Sequence, residues 1–298
     1  MDFQRELTVR SEYAARVILD YVPKATQFDG EIIEAMEYSL ASGGKRLRPI
    51  LIEAFYRLFS GNENVYRPFM AAMEMLHTYS LVHDDLPALD NDDLRRGKPT
   101  THIKFGESVG VLAGDGLLHM AYETCISAFD CTSNYDNVLK ALRIFGNKTG
   151  LNGMFGGQSA DVVNTGKDVS DELLYYIYKN KTGALIEGSM MIGAALAGAN
   201  EETLAKVEKI GFNVGMAFQI RDDILDVYGD EKIFGKPVLS DDRNNKKTYL
   251  SINGLDKSRR DVEDFTAKAI NMLDEIGNNN EERAFIKELF MYLTSRNI

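Results

Sequence analysis

The chain has 298 residues, with 34 Lys and Arg against 45 Asp and Glu and a formal net charge of −11. That balance disfavours nucleic acid or an anionic membrane surface as a general partner, so any anionic substrate must be met by local clusters of cations. The cysteines, Cys125 and Cys131, form neither a metal-type pair nor a disulfide framework. The first residues, MDFQRELTVRSEY, are charged rather than an apolar signal, and no run approaches the roughly 20 apolar residues of a membrane span. A soluble protein of a reducing cytoplasm is expected, folded as a single domain over 1–298, because no linker or shift in composition marks a boundary.

The hydrophobic spacing is helical nearly everywhere, as in AAMEMLHTYSLVHDDL, where Met73, Leu76 and Leu81 fall on three- and four-residue intervals. In chain order the pattern predicts helices near 3–21, 31–42, 49–59, 65–86, 108–129, 136–149, 152–163, 171–198, 202–228, 258–276 and 281–294. Pro49, Pro68, Pro87, Pro99 and Pro237 punctuate these segments, and Val- and Thr-rich alternating runs joined by two-residue turns are missing. The expected fold is therefore an all-α bundle. Segments 171–198 and 202–228 are apolar around most of their surface and are read as central, with room for a large cavity between them.

Charge is concentrated at the ends of these helices. In GGKRLRP, from Gly43, the glycines can stop one helix and Pro49 can open the next, which places Lys45 and Arg48 beside a helix N-terminus, a setting suited to a diphosphate. An ordinary basic loop is the alternative. His77 lies two turns before Asp84 on the same helical face. In HDDLPALDNDDLRRG, Asp84 and Asp85 sit at a helix C-terminus, where the helix dipole opposes negative charge. Asp84 and Asp90 would be about 240° apart on an unbroken helix. Pro87 should end the helix near Leu86 and let the chain bulge so that Asp90 returns. Arg95 and Arg96 add two cations, while Asp92 and Asp93 are read as solvated surface. Asp222, Asp223 and Asp226 repeat the arrangement just before Gly229, with Asp222 and Asp226 one turn apart.

LVHDDL and QIRDDILD are faint echoes of each other, and two such clusters are read as facing sites. Carboxylate oxygens of this kind suit Mg²⁺, which keeps several waters and bridges to substrate phosphates. Lys181, Thr182, Gln219, Lys236 and Lys246 are further candidates. GDEKIFGKP is not a Walker A loop, having one residue too many between its glycines, and GMFGGQ lacks the strand a dinucleotide fingerprint needs.

GGKRLRP, HDDLPALDNDDLRRG, KTGA, FQIRDDILD and NNKKTY, in this order over nearly the whole chain, resemble the trans-isoprenyl diphosphate synthases, most closely the bacterial short-chain farnesyl diphosphate synthase type. The resemblance implies an all-α isoprenoid-synthase fold, usually homodimeric, with both aspartate motifs over a deep apolar pocket. It implies that Asp84, Asp85, Asp90, Asp222, Asp223 and Asp226 supply Mg²⁺ ligands, directly or through water. It also implies that Lys45, Arg48, His77 and Arg96 bind isopentenyl diphosphate, and that Arg95, Lys181, Thr182, Gln219, Lys236 and Lys246 serve the allylic diphosphate. Asn91 departs from the acidic row of many relatives, and Lys246-Lys247 leaves the register of one lysine open, with Lys246 favoured. His83 and His102 keep a structural reading. Tyr79, five residues before Asp84 and beside the small Ser80, is the expected floor under the growing chain, which implies a farnesyl product. Geranylgeranyl diphosphate synthase is the close alternative. A class I terpene cyclase, which has no need of GGKRLRP, and a non-catalytic helical partner subunit, which would be expected to lose its aspartates, are more distant ones.

Overall fold

A computed structural model describes residues 2–228 and 247–294. Two compact units are distinguished, one of Met1–Glu53 with Glu63–Val138 and one of Ala54–Asn62 with Leu139–Ile298. Among the described residues, no helix is long and apolar enough to cross a membrane.

The first unit begins with α1 (Phe3–Asp20), whose leading N–H groups are capped by Asp2, which accepts from the Arg5 amide at 3.3 Å. It continues through α2 (Gly30–Ala41) and the start of α3 (Leu47–Leu58) to α4 (Tyr66–Asp84). Helix α4 is the spine: Phe69, Met70, Met73, Met75 and Leu76 are all buried, and α1 and α6 (Glu107–Ile126) pack on it. Burying each such side chain favours folding by about 1.5–3 kcal/mol. The helix ends at Asp84, two residues before the predicted limit, because Pro87 cannot continue the ladder; the Leu86 amide bonds His83 O at 3.1 Å instead. The loop then turns back, and the Asp90 N–H bonds the Asp84 carbonyl at 2.9 Å. This is the return of Asp90 that the Pro87 break led us to expect.

Three features of this unit depart from the sequence reading. Leu94–Arg95 (β1) and Lys98–Pro99 (β2) form a tiny antiparallel ribbon, and its turn residues Arg96 and Gly97 both have positive φ, 54° and 74°. That is the geometry of a tight two-residue hairpin, a type of turn not expected from the sequence. Its strands are too short and too charged to show alternation. Helix α5 (Thr101–Phe105) was likewise not anticipated; Gly106, at φ 92°, separates it from α6. A 3₁₀ turn over Ser127–Cys131 replaces the last residues of the helix predicted to 129.

The second unit includes the end of α3, most of α7 (Tyr135–Thr149), α8 (Met154–Val163), α9 (Asp171–Ile177), α10 (Ala184–Leu196) and α11 (Glu201–Tyr228). It closes with α12 (Tyr249–Asn253), a short helix absent from the prediction, α13 (Leu255–Leu273) and α14 (Asn280–Thr294). Every residue of α10 except Met191 is buried, and α11 packs against α10, α13 and α14, so both segments read as central are so within this unit. The expected single helix over 171–198 is interrupted by a π-helical turn at Tyr178–Gly183. Two glycines admit it. A Cβ on Gly157 of α8 would lie 2.1 Å from the Lys181 amide nitrogen, and one on Gly215 of α11 would lie 2.8 Å from Gly183 Cα. Beside this turn, Lys148 is buried between Glu187, at 2.5 Å, and Glu208, at 2.6 Å.

Candidate active site

In the first unit the GGKRLRP segment divides its cations between structure and site. Arg46 points inward, only 6 % exposed, and its Nη1 donates to Glu74 Oε1 of α4 at 2.7 Å while Nη2 donates to the Leu40 carbonyl. Glu74 is itself 3 % exposed. With Arg46 as its anchor, the loop carries exposed Lys45 on one side and Arg48 on the other. Sequence reasoning missed Arg46 and Glu74; the one signal was a lone acid in the apolar run MAAMEMLH. Helix α3 starts at Leu47, so Pro49 is its third residue rather than its first, and Arg48 lies within the first turn.

Arg96 reaches the same loop. Its Nη1 donates to the Gly43 carbonyl, and its guanidinium lies where a Cβ on Gly44 would be, 2.5 Å from Nη1. Gly43 and Gly44 have φ of 93° and 117°, which side-chain-bearing residues rarely adopt. His77, one turn after Glu74 on α4, has its pKa pushed well below the ordinary histidine value by burial and then by the nearby charges of Arg48, Arg96, Arg95 and Arg46. It is therefore neutral at physiological pH. Arg48, His77 and Arg96 thus gather around the loop that bears Lys45.

Arg95, one residue from Arg96, faces the aspartates. Its Nε donates to both Asp85 oxygens, at 2.7 and 2.9 Å, and its second terminal nitrogen lies 2.6 Å from Oδ1. Burial weighs against the Arg95 cation, but the bonds to Asp85 outweigh it and hold its pKa above the ordinary value. Asp92, read as surface, lies 3.8 Å from Arg95, half-exposed at the rim of this pair. Asp84 is partly buried and Asp90 exposed. Tyr79 packs edge-on against His83, with centroids 5.0 Å apart, and its hydroxyl pKa is raised by burial, then by Asp115 and Asp84. Ser80 Oγ donates to the His77 carbonyl at 2.8 Å. His83 bonds Val111 O at 3.1 Å and His102 bonds Thr100 at 3.1 Å, in keeping with structural roles.

In the second unit a cleft is lined by Asp161, Lys181, Thr182, Gln219, Asp223 and Lys247, among others. Lys181 Nζ donates to Asp161 Oδ2 at 2.6 Å, and Thr182 Oγ1 donates to Gln219 Oε1 at 2.7 Å. The Gln219 amide in turn donates to Asp223 Oδ1 at 3.3 Å. Asp223 Oδ2 accepts from the Tyr178 hydroxyl at 2.5 Å and from the Tyr249 N–H at 2.9 Å. Tyr178 and Asp161 were not singled out from the sequence. Asp222 is partly exposed and Asp226 buried. Lys247 Nζ donates to the Val169 carbonyl at 2.7 Å and lies 3.4 Å from Asp171. Lys236 and Lys246 lie outside the described residues.

Among the described residues no three His, Cys, Asp or Glu side chains form a ready metal cage. Mg²⁺ needs no such cage, since one or two carboxylates, waters and substrate phosphates complete its shell. The carboxylates at the ends of α4 and α11 are the hard oxygen donors it prefers.

Residues 29–292 match the polyprenyl synthetase family. The chain is 43 % identical over 267 residues to a chloroplastic geranylgeranyl pyrophosphate synthase of Catharanthus roseus, covering 89 % of this chain and 74 % of that protein. It is 35 % identical over 298 residues to a farnesyl diphosphate synthase of Escherichia coli, covering 100 % of each. The crystal structure of an FPP/GFPP synthase from Zymomonas mobilis matches with a TM-score of 0.86 at 30 % identity, over 98 % of this chain and 99 % of that one. On these matches, with the all-α architecture described above, the chain belongs to the polyprenyl synthetase family.

Proposed function

We propose that this trans-prenyltransferase condenses isopentenyl diphosphate with dimethylallyl and geranyl diphosphates and releases farnesyl diphosphate. The observation that carries the reading is the group of arginines around neutral His77 at the GGKRLRP loop. A terpene cyclase, with a single diphosphate substrate, has no use for this second anion site.

Lys45, Arg48 and Arg96 hold the isopentenyl diphosphate, and His77 adds an N–H without adding charge. Asp84, Asp90, Asp222 and Asp226 are the carboxylates we assign to Mg²⁺; Asp85, paired with Arg95, and Asp223, held by Tyr178, act through those partners or through water. When bound, Mg²⁺ would neutralise the charge that grows on the departing allylic diphosphate. Arg95, Lys181, Lys236 and Lys246 add positive charge to the same end, and Thr182 with Gln219 orients it. Lys247 is engaged by Val169, which favours Lys246 as the lysine that meets substrate. The isopentenyl double bond attacks the allylic cation, and the proton lost afterwards passes to the released diphosphate, so neither His83 nor His102 is required as a base. Tyr79 closes the floor under the growing chain. A homodimer in the cytoplasm is the proposed setting.

The second reading is a geranylgeranyl diphosphate synthase, favoured by Ser80 beside the floor and by the similarity to the Catharanthus roseus enzyme. Purified protein incubated with Mg²⁺, isopentenyl diphosphate and dimethylallyl diphosphate should yield farnesyl diphosphate. A geranylgeranyl product would select the second reading, and absence of any condensation product across metals and primers would sink both.

A further inference from the structure

Asp222 and Asp223 are neighbours on α11, yet a helix sets consecutive side chains about 100° apart, and the two face different surroundings. Asp222 is partly exposed, whereas Asp223 is 2 % exposed. A carboxylate offers about four acceptor positions, and on Asp223 the hydroxyl of Tyr178, the N–H of Tyr249 and the amide of Gln219 occupy three of them. These donors belong to the π-helical turn, to the first residue of α12 and to α11 itself. The Tyr249 N–H also lies 3.0 Å from Tyr178 Oη, so that amide is held between two oxygens. It is one of the leading N–H groups that a helix cannot satisfy internally. Two residues earlier, Lys247 is bonded to the Val169 carbonyl, and Thr248 caps α12 reciprocally with Ser251.

We propose that Tyr178 and Asp223 are positioning residues, a latch that fixes Lys247–Tyr249 against the π-helical turn, and that Asp223 serves this latch instead of ligating a metal ion. The latch reaches the substrate groups through one relay. Asp223 sets which face of the Gln219 amide presents its NH₂, and the opposite oxygen then accepts from Thr182. With the latch open, Gln219 is free to rotate and the Thr182 hydroxyl loses its fixed direction. The effect on catalysis rests on the allylic role proposed above for Thr182 and Gln219; the latch itself does not.

Hydrogen–deuterium exchange on the metal-free, substrate-free protein separates the two. Tyr178→Phe and Asp223→Asn should each speed exchange across 247–253 by about tenfold or more, the effect of losing one hydrogen bond to a charged group. The double variant should exchange no faster than the faster single one, and Asp222→Asn should leave this segment unchanged. In steady-state assays both single variants should raise KM for the allylic diphosphate by about tenfold, with KM for isopentenyl diphosphate and the Mg²⁺ half-saturation within about twofold. Unchanged exchange in Tyr178→Phe overturns the latch. So does an Asp223→Asn protein with normal exchange and a raised Mg²⁺ requirement, since that is the behaviour of a metal ligand. Altered exchange with unchanged allylic KM keeps the latch and removes the allylic role of Thr182 and Gln219. Tyr178→Phe deletes one oxygen only, so the test stands even if Asp223→Asn fails to fold.

Discussion

Glu74→Ala tests how the first unit holds the GGKRLRP loop proposed to bind a diphosphate. The substitution leaves the Arg46 guanidinium, 6 % exposed, with the Leu40 carbonyl but without the carboxylate now 2.7 Å away. Removing one member of a buried ion pair costs about 3–5 kcal/mol, because the remaining charge is stranded. For a chain of this size that corresponds to a fall in Tm of about 5–8 °C. Glu74→Gln keeps an oxygen for Nη1 and should lose less. Arg46→Met/Glu74→Leu removes both charges and should recover most of the stability. It should not recover function, since Arg46 fixes the segment between Lys45 and Arg48. KM for isopentenyl diphosphate should stay raised by about tenfold, the scale of one charged hydrogen bond, with the allylic KM little changed. Thermal unfolding and steady-state kinetics with each substrate varied read the two effects. A Tm loss under about 2 °C for Glu74→Ala, or a double variant with normal KM, would refute the reasoning.

Gly44→Ala should be defective without large destabilisation: a φ of 117° costs a side-chain-bearing residue about 1–3 kcal/mol, and the new methyl displaces the Arg96 guanidinium. Its kinetics should show a raised KM for isopentenyl diphosphate alone. Tyr79→Ala should lengthen the product toward geranylgeranyl diphosphate, read by chromatography of the dephosphorylated alcohols; unchanged length would remove Tyr79 as the floor. Asp84→Ala or Asp222→Ala should collapse turnover in the same assay, whereas Lys45→Ala should mainly raise the isopentenyl diphosphate requirement. His77 gives a pH signature. Its folded pKa is depressed, so the unfolded chain binds more protons below about 6.5 and stability falls as pH drops through that value, by at most about 1.4 kcal/mol per unit from this group. His77→Gln should flatten this part of the curve in denaturant titrations between pH 5 and 7.

The long helices were legible because each buries a stripe at helical spacing, and the acidic and basic motifs were legible because charges at helix ends conflict with the surrounding apolar pattern. Asp90 is the clearest success: the Pro87 break and the six-residue spacing led to the chain return seen at the Asp84 carbonyl. What could not be read is direction. Lys45, Arg46 and Arg48 look alike in sequence, and only Glu74, 28 residues away from Arg46, decides that Arg46 turns inward. The same holds for Arg95 and Arg96, which part company because a two-residue ribbon ends between them. Segments of five residues such as α5 and α12 are too short for periodicity. The π-helical turn was hidden because helical apolar spacing runs on either side of the polar stretch YKNKTG, and the glycines that admit it, Gly157 and Gly215, lie on other elements.

That turn bears on how the chain can change. Deleting any one residue from 178–183 would let an uninterrupted α-helix form through the segment, and local preference alone would favour the shorter sequence. Yet a π turn holds about one residue more than an α turn, so α10 would keep nearly the same face, with Glu187 still at Lys148, while Lys181 and Thr182 would be drawn out of register with Asp161 and Gln219. The extra residue is thus a locally unfavourable spacer whose retention depends on groups elsewhere in the chain. On the roles proposed for Lys181 and Thr182, selection for stability and selection for catalysis pull on this spacer in opposite directions.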